Sequence, residues 1–254
     1  MADAILQAEK VAAQIAKNLG DNLKAMVLFG TAIRGGYAPA HQEVNIMMVV
    51  EDASTEAIGP IEKSLAGWVK KGHAAPLIFE RSEWEGSTDV FAVEIEDMRE
   101  AHKLVAGTDP FEGIVTNRDD LRQELEREVR GKLLQLRAQY AAFAPDGRAL
   151  TRLITDSAPT FFVLMRALVR LEGQAPEAKP AKLVEQAASI ADLDVDAFAW
   201  VVGKISGDKV KSLRSNDPIA ARYVDEIQKL IGADWMVYQD LEDLVAASQE
   251  GNPE

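Results

Sequence analysis

Cysteine is absent from the 254 residues of the chain. Its absence excludes disulfide bonds, thiolate zinc sites and a cysteine nucleophile. Histidine is scarce, and the three residues His41, His73 and His102 do not have the spacing of metal ligands. The sequence also lacks a Gly-x-x-x-x-Gly-Lys-Ser/Thr loop, a Gly-x-Ser-x-Gly turn and a His-Glu-x-x-His motif. The common signatures of P-loop nucleotide binding, serine hydrolysis and zinc proteolysis are therefore missing.

Long hydrophobic runs are missing as well, although apolar residues make up 47% of the sequence. No run approaches the length of a membrane span. The first twenty residues mix acids and lysines, unlike a signal peptide. We therefore expect a cytoplasmic protein with no membrane partner.

Basic residues are in the minority throughout. The net charge is −13, with −8 over residues 1–115 (10 basic, 18 acidic) and −5 over residues 116–254 (18 basic, 23 acidic). A broad surface for nucleic acid needs an excess of lysine and arginine. The composition predicts no such surface on either half.

The first hundred residues mix helical and strand patterns. Apolar spacing predicts a helix over 2–19, and Ser54 or Thr55 can begin another that ends at Gly72. Strands are predicted over 24–29, 43–51, 76–80 and 89–97, and a short helix over 98–107. These patterns predict a small mixed sheet with flanking helices.

The remainder of the chain reads as helical. The predicted helices cover a long stretch from Asn117 to about Tyr140, then 148–171, 179–190, 194–206 and 217–247. Pro159 predicts a kink or a break in the second of them. The fold class is therefore α+β, with an α/β domain over 1–115 followed by an all-α helical-bundle domain over 116–254. An apolar stripe in the last helix can pack internally or serve a homodimer or a protein partner.

One stretch carries chemistry. In LFGTAIRGGYAPAHQEVNIMMVV a strand ends at Gly30-Thr31, and after eleven intervening residues the next predicted strand opens with Glu43-Val44-Asn45. Alternation along a strand places Glu43 and Asn45 on one face. The string resembles the signature of the nucleotidyltransferase superfamily, the DNA polymerase β-like fold: an apolar strand, Gly-Ser, about ten residues, then acid–apolar–acid.

The resemblance implies a site for a nucleoside triphosphate and Mg²⁺. Gly30 and Thr31 would approach the phosphates, and Arg34 would reach one of them. The metal ligands would be Glu43, Asn45 and Glu94, with Glu43 and Glu94 as the catalytic acids. Mg²⁺ prefers hard oxygen ligands, which suits such a set.

The departures from the family pattern weaken that site. Asn45 stands where the family has its second acid, and an amide brings no negative charge. The third acid is Glu94 by its central position in the predicted strand 89–97, with Glu96 as the alternative. We expect one weakly bound Mg²⁺ at best.

Three hypotheses follow. The first is a nucleotidyltransferase-like protein that binds a nucleoside triphosphate with weak or no transfer activity. The second is an active Mg²⁺-dependent enzyme acting on a small-molecule or protein hydroxyl. The third is a protein that keeps only the fold and binds a partner.

Overall fold

A computed structural model describes residues 2–231 of the chain. The described residues divide into two compact units, residues 2–121 with 205–207 and residues 122–204 with 208–231. In the first unit the helices are α1 (Ala2–Leu19), α2 (Thr31–Arg34), α3 (Thr55–Ile58), α4 (Glu62–Lys70), α5 (Arg81–Glu85) and α6 (Ala92–Glu100), and the strands are β1 (Leu23–Phe29), β2 (Asn45–Val50), β3 (Leu77–Glu80) and β4 (His102–Gly107).

The strands form one mixed sheet in the order β3-β2-β1-β4. β1 is antiparallel to both β2 and β4, whereas β2 and β3 are parallel. At the end of β1, Phe29 lies opposite Asn45 of β2 and His102 of β4. The residues that follow Phe29 are therefore placed beside the starts of both neighbouring strands.

The two central strands, β1 and β2, are buried on both faces, as the apolar run of β2 predicts. Ile46, Met48 and Val50 face a core built with α1 and Trp68 of α4. The alternate side chains face a second core, with Ile95 and Met98 of α6 and the aromatic residues Trp84 and Phe111; these side chains are Ala25, Val27, Met47 and Val49. The sheet is thus sandwiched between α1 on one face and α6 on the other.

Two predicted elements near residue 100 are wrong. Residues 89–97 do not form a strand, because α6 occupies most of that stretch and buries Ala92, Val93, Ile95 and Met98. Residues 98–107 do not form a helix ending at Gly107, because β4 runs from His102 to Gly107. The apolar spacing of residues 92–98 fits one face of a short helix as well as it fits a strand, and packing on the sheet decides for the helix.

The other predicted elements of this unit are confirmed, with altered bounds. The helix expected from Ser54 or Thr55 to Gly72 is present in pieces, because Gly59-Pro60 interrupts it with a 3-10 turn. Ser54 caps its start by accepting a hydrogen bond from the Ala57 N–H at 3.3 Å. The second strand begins at Asn45 rather than at residue 43.

The second unit is helical over its described residues. Its helices are α7 (Arg118–Phe143, which begins in the first unit), α8 (Gly147–Leu171), α9 (Pro180–Ala191), α10 (Asp196–Ser206, whose last two residues belong to the first unit) and α11 (Pro218–Lys229). Asp146 caps α8 by accepting hydrogen bonds from the N–H groups of Arg148 and Ala149. α8 is not broken at Pro159, which lies inside it. Residues 232–247 of the last predicted helix lie outside the described residues.

The architecture is therefore α+β, a small mixed sheet with flanking helices followed by a helical region, as the sequence predicts. Among residues 2–231, no helix has both the length and the apolar character that crossing a membrane requires.

Candidate functional site

Gly30 forms the tight turn between β1 and α2. Its φ of 103° lies in a region that side-chain-bearing residues rarely adopt. A Cβ atom at this position would lie 2.8 Å from the carbonyl oxygen of Glu43 and 3.1 Å from the amide nitrogen of the Asn45 side chain. Glycine is therefore required here, because the backbone of the turn packs directly on the start of β2.

Thr31 ties the turn to the same segment. Its hydroxyl donates to the carbonyl of His41 at 2.9 Å and accepts from the N–H of Glu43 at 2.8 Å. The N–H of Ala32 donates to the carbonyl of Glu43 at 3.0 Å. The Gly-Thr pair thus closes the loop over residues 35–42 and fixes Glu43 beside the end of β1.

Glu43 and Asn45 occupy different positions from those that a continuous strand would give. Glu43 precedes β2 and is exposed, whereas Asn45 is the first strand residue and is half-buried. Neither side chain has a hydrogen-bond or ion-pair partner among residues 2–231. Asn45 is two residues from Met47 and so lies on the sheet face that packs against α6.

Glu94 is carried by that helix and not by a strand, which corrects its expected setting. One of its carboxylate oxygens, Oε2, is buried and has no hydrogen-bond partner among the described residues. Glu96, the alternative third acid, is engaged instead: it accepts a hydrogen bond from the Thr116 hydroxyl and pairs with Arg99 at 2.9 Å. Of the two acids, Glu94 is the one with an unused buried oxygen.

Arg34 has a structural setting that the sequence did not predict. Its guanidinium pairs with Asp97 at 3.1 Å and with Glu100 at 3.2 Å, and it donates to the Asp97 carbonyl at 2.6 Å. Only 6% of the side chain is exposed. Asp97 and Glu100 stand three residues apart on α6, a spacing that marks them as neighbours on one helix face. The sequence does not reveal this pair, because its pattern places Asp97 in the predicted strand 89–97 and Glu100 in the predicted helix 98–107.

Together the structure brings Gly30, Thr31, Glu43 and Asn45 to one edge of the sheet, with α6 packed on the adjoining face. Within residues 2–231, no three acidic or histidine side chains are grouped closely enough to hold a metal ion by themselves. The side-chain oxygen donors beside the Gly30-Thr31 turn are the carboxylate of Glu43 and the neutral amide of Asn45.

The sequence matches no protein-family model and no curated protein. Among solved structures, the chain is similar to spectinomycin adenyltransferase AAD(9) from Enterococcus faecialis, crystallised with ATP and spectinomycin. The TM-score is 0.57 at 14% sequence identity, and the match covers 90% of this chain and 99% of that one. At this identity the likeness establishes the fold.

Proposed function

From the nucleotidyltransferase-like fold, we propose that the first unit binds a nucleoside triphosphate together with Mg²⁺ at the edge formed by Gly30, Thr31, Glu43 and Asn45. Transfer of the nucleotide is slow or absent. The observation that carries the proposal is the unpartnered buried Oε2 of Glu94. Burying a carboxylate oxygen without a partner is costly, and a cation would offset that cost.

The contrast with the other acids of α6 supports this role. Asp97 and Glu100 pair with Arg34, and Glu96 pairs with Arg99. Glu94 is the remaining acid of the helix, one turn before Asp97. Its unpartnered oxygen is costly to bury in the protein interior and is available to coordinate a cation.

The donors fit Mg²⁺ only with help from the ligand. Mg²⁺ takes about six oxygen ligands and is usually held by one or two carboxylates plus phosphates and water. Glu43, Asn45 and Glu94 supply hard oxygens, and the triphosphate would supply the rest. When bound, the ion would neutralise phosphate charge and polarise the phosphorus under attack. Cation binding should therefore depend on the nucleotide.

Two features argue for weak or absent transfer. Asn45 leaves the site one negative charge short of the family pattern, so the electrostatic balance for two cations is missing. Arg34 is already neutralised by Asp97 and Glu100, so it would have to leave two carboxylates to contact a phosphate. We propose that its phosphate-binding role has been replaced by a structural one.

Calorimetric titration with ATP, GTP, CTP and UTP, with and without Mg²⁺, tests the proposal. We expect at least one nucleotide to bind only when Mg²⁺ is present. Glu94→Gln should weaken that binding by about tenfold, the effect of one lost charged contact. Glu96→Gln, on the same helix, should leave the nucleotide affinity within about twofold, since Glu96 is already paired.

Absence of binding across the four nucleotides would overturn the proposal. The protein would then be one that keeps only the fold and binds a partner. The engagement of Thr31 and Arg34 in structural contacts favours that alternative.

A further inference from the structure

A groove of about 530 Å³ lies in the second unit, between the second half of α7 and the first half of α8. The two helices are joined by a short turn at residues 144–146, and each contributes one stripe of side chains. Both polar and apolar side chains of the two helices line the groove. The volume lies within the range of small-molecule sites.

The groove combines an apolar floor with polar rims. Leu136, Leu153 and Phe161 are almost fully buried beneath it, and Phe143 keeps 40% of its surface exposed at one end. Gln135 and Gln139 stand one turn apart on α7, and neither has a hydrogen-bond partner among residues 2–231. An apolar floor with a few converging polar groups is the usual construction of a ligand site.

The charge of the rim favours an anion. Arg152 has no ion pair or hydrogen bond with any described residue. Lys132 also lines the groove, and its only ion-pair partner among residues 2–231 is Glu128, at 3.6 Å. Asp156 is the single acid of the lining, so the groove carries two cations against one anion in a chain whose net charge is −13. That local excess of positive charge is opposite to the composition of the whole chain.

We propose that this groove is a second ligand site, for a small organic anion that carries an aromatic or branched apolar group. The anionic group would contact Arg152 and Lys132, and the apolar part would pack on Leu136, Leu153 and Phe161. Ser157 is already bonded to the Ile154 carbonyl and to the Tyr223 hydroxyl, so it belongs to the wall and not to the recognition set. The site lies wholly within the helical unit and does not involve Gly30, Glu43 or Glu94.

The test uses the full chain and the fluorescent probe 8-anilinonaphthalene-1-sulfonate, which joins a sulfonate to two aromatic groups. We expect saturable binding of one probe per chain, with native circular dichroism retained. Arg152→Gln should weaken the affinity by about tenfold through loss of a charged contact. Ala149→Trp, which fills the groove, should reduce the number of bound probes.

Two controls separate this site from others. Arg137→Gln removes an exposed cation of α7 outside the groove and should leave the affinity within about twofold. Glu94→Gln, in the first unit, should also leave the probe affinity unchanged. The nucleotide proposal and the proposed groove site can therefore fail independently of each other. Probe binding that is absent, or that is insensitive to both Arg152→Gln and Ala149→Trp, would overturn the inference.

Discussion

The guanidinium of Arg34 lies 3.1 Å from the carboxylate of Asp97 and 2.6 Å from its backbone carbonyl. This double contact joins the turn after β1 to the helix that precedes β4. The carboxylate of Glu100, one turn further along α6, also pairs with the Arg34 guanidinium, at 3.2 Å. Because Phe29 lies beside the starts of both β2 and β4, the contact fixes the geometry of the edge where we place the nucleotide.

Arg34→Gln should therefore act mainly on stability. The substitution removes the guanidinium that pairs with Asp97 and Glu100, and removing one partner of a largely buried pair costs about 3 kcal/mol. Urea denaturation followed by circular dichroism measures the free energy of unfolding. Arg81→Gln is the matched control, since Arg81 pairs with Glu51 at 3.4 Å and both side chains are half exposed. The control should change stability by no more than about 0.5 kcal/mol. Equal effects of the two substitutions would contradict the structural role of Arg34.

Gly30→Ala should be strongly destabilising. The added methyl group would meet the Glu43 carbonyl at 2.8 Å, and φ of 103° is unfavourable for alanine. We expect a loss of at least about 2 kcal/mol, measured by the same denaturation. Gly67→Ala tests the opposite case, because Gly67 is exposed within α4 and has open space around it. That variant should gain about 0.5–1 kcal/mol. A neutral Gly30→Ala would show that the turn does not pack on β2 as described.

Thr31→Val removes the hydroxyl and keeps the shape of the side chain. The His41 carbonyl loses its donor and the Glu43 N–H loses its acceptor, so we expect a loss of about 1–2 kcal/mol. Thr31→Ser keeps the hydroxyl and should lose less than about 1 kcal/mol. Thermal unfolding of the two variants side by side would distinguish them, and indistinguishable melting temperatures would count against the hydroxyl's role in closing the loop.

The pKa of Asp194, in the helical unit, should lie below that of an ordinary aspartate. A hydrogen bond from Arg222 lowers the pKa of Asp194, with further help from the Asp196 N–H and the charges of Arg222 and Lys229. A carboxyl whose folded pKa is lowered contributes stability above its ordinary pKa of about 3.9, and that contribution is lost as pH falls through the folded value. Carbon-detected NMR titration should place the Asp194 midpoint below the ordinary value. Arg222→Gln should raise the midpoint, whereas Lys182→Gln should leave it in place; a midpoint unaffected by Arg222→Gln would refute the assigned cause.

The sequence predicted the parts of the fold whose signals are strong and local. The helical spacing of α1, the apolar run of β2 and the long stripes of the second unit all gave elements of the correct type. The Gly30-Thr31 turn also stands where its pattern predicts, between β1 and the segment that opens β2. Each of these signals lies within one continuous stretch of chain.

The region from residue 89 to 107 was predicted wrongly because its signals are short and ambiguous. In the sequence, Gly107 has the position of a helix stop, but in the structure its backbone lies against Lys24, where an added Cβ would come within 1.9 Å of the Lys24 carbonyl oxygen. It therefore serves the pairing of β4 with β1. Only the pairing of the strands shows this role of Gly107. Because residues 92–100 form α6, Asp97 and Glu100 lie on one helix face, where both pair with Arg34.

The most direct measurement of the central proposal is calorimetric titration of Mg²⁺ and ATP into the wild-type protein and the Asn45→Asp variant. The new carboxylate would restore negative charge beside Gly30, so Mg²⁺-dependent binding should become about tenfold tighter. Asn216→Asp, an equivalent change on an exposed loop of the helical unit, should match the wild type within about twofold. Identical isotherms for wild type and Asn45→Asp would contradict a residual nucleotide and metal site at this edge.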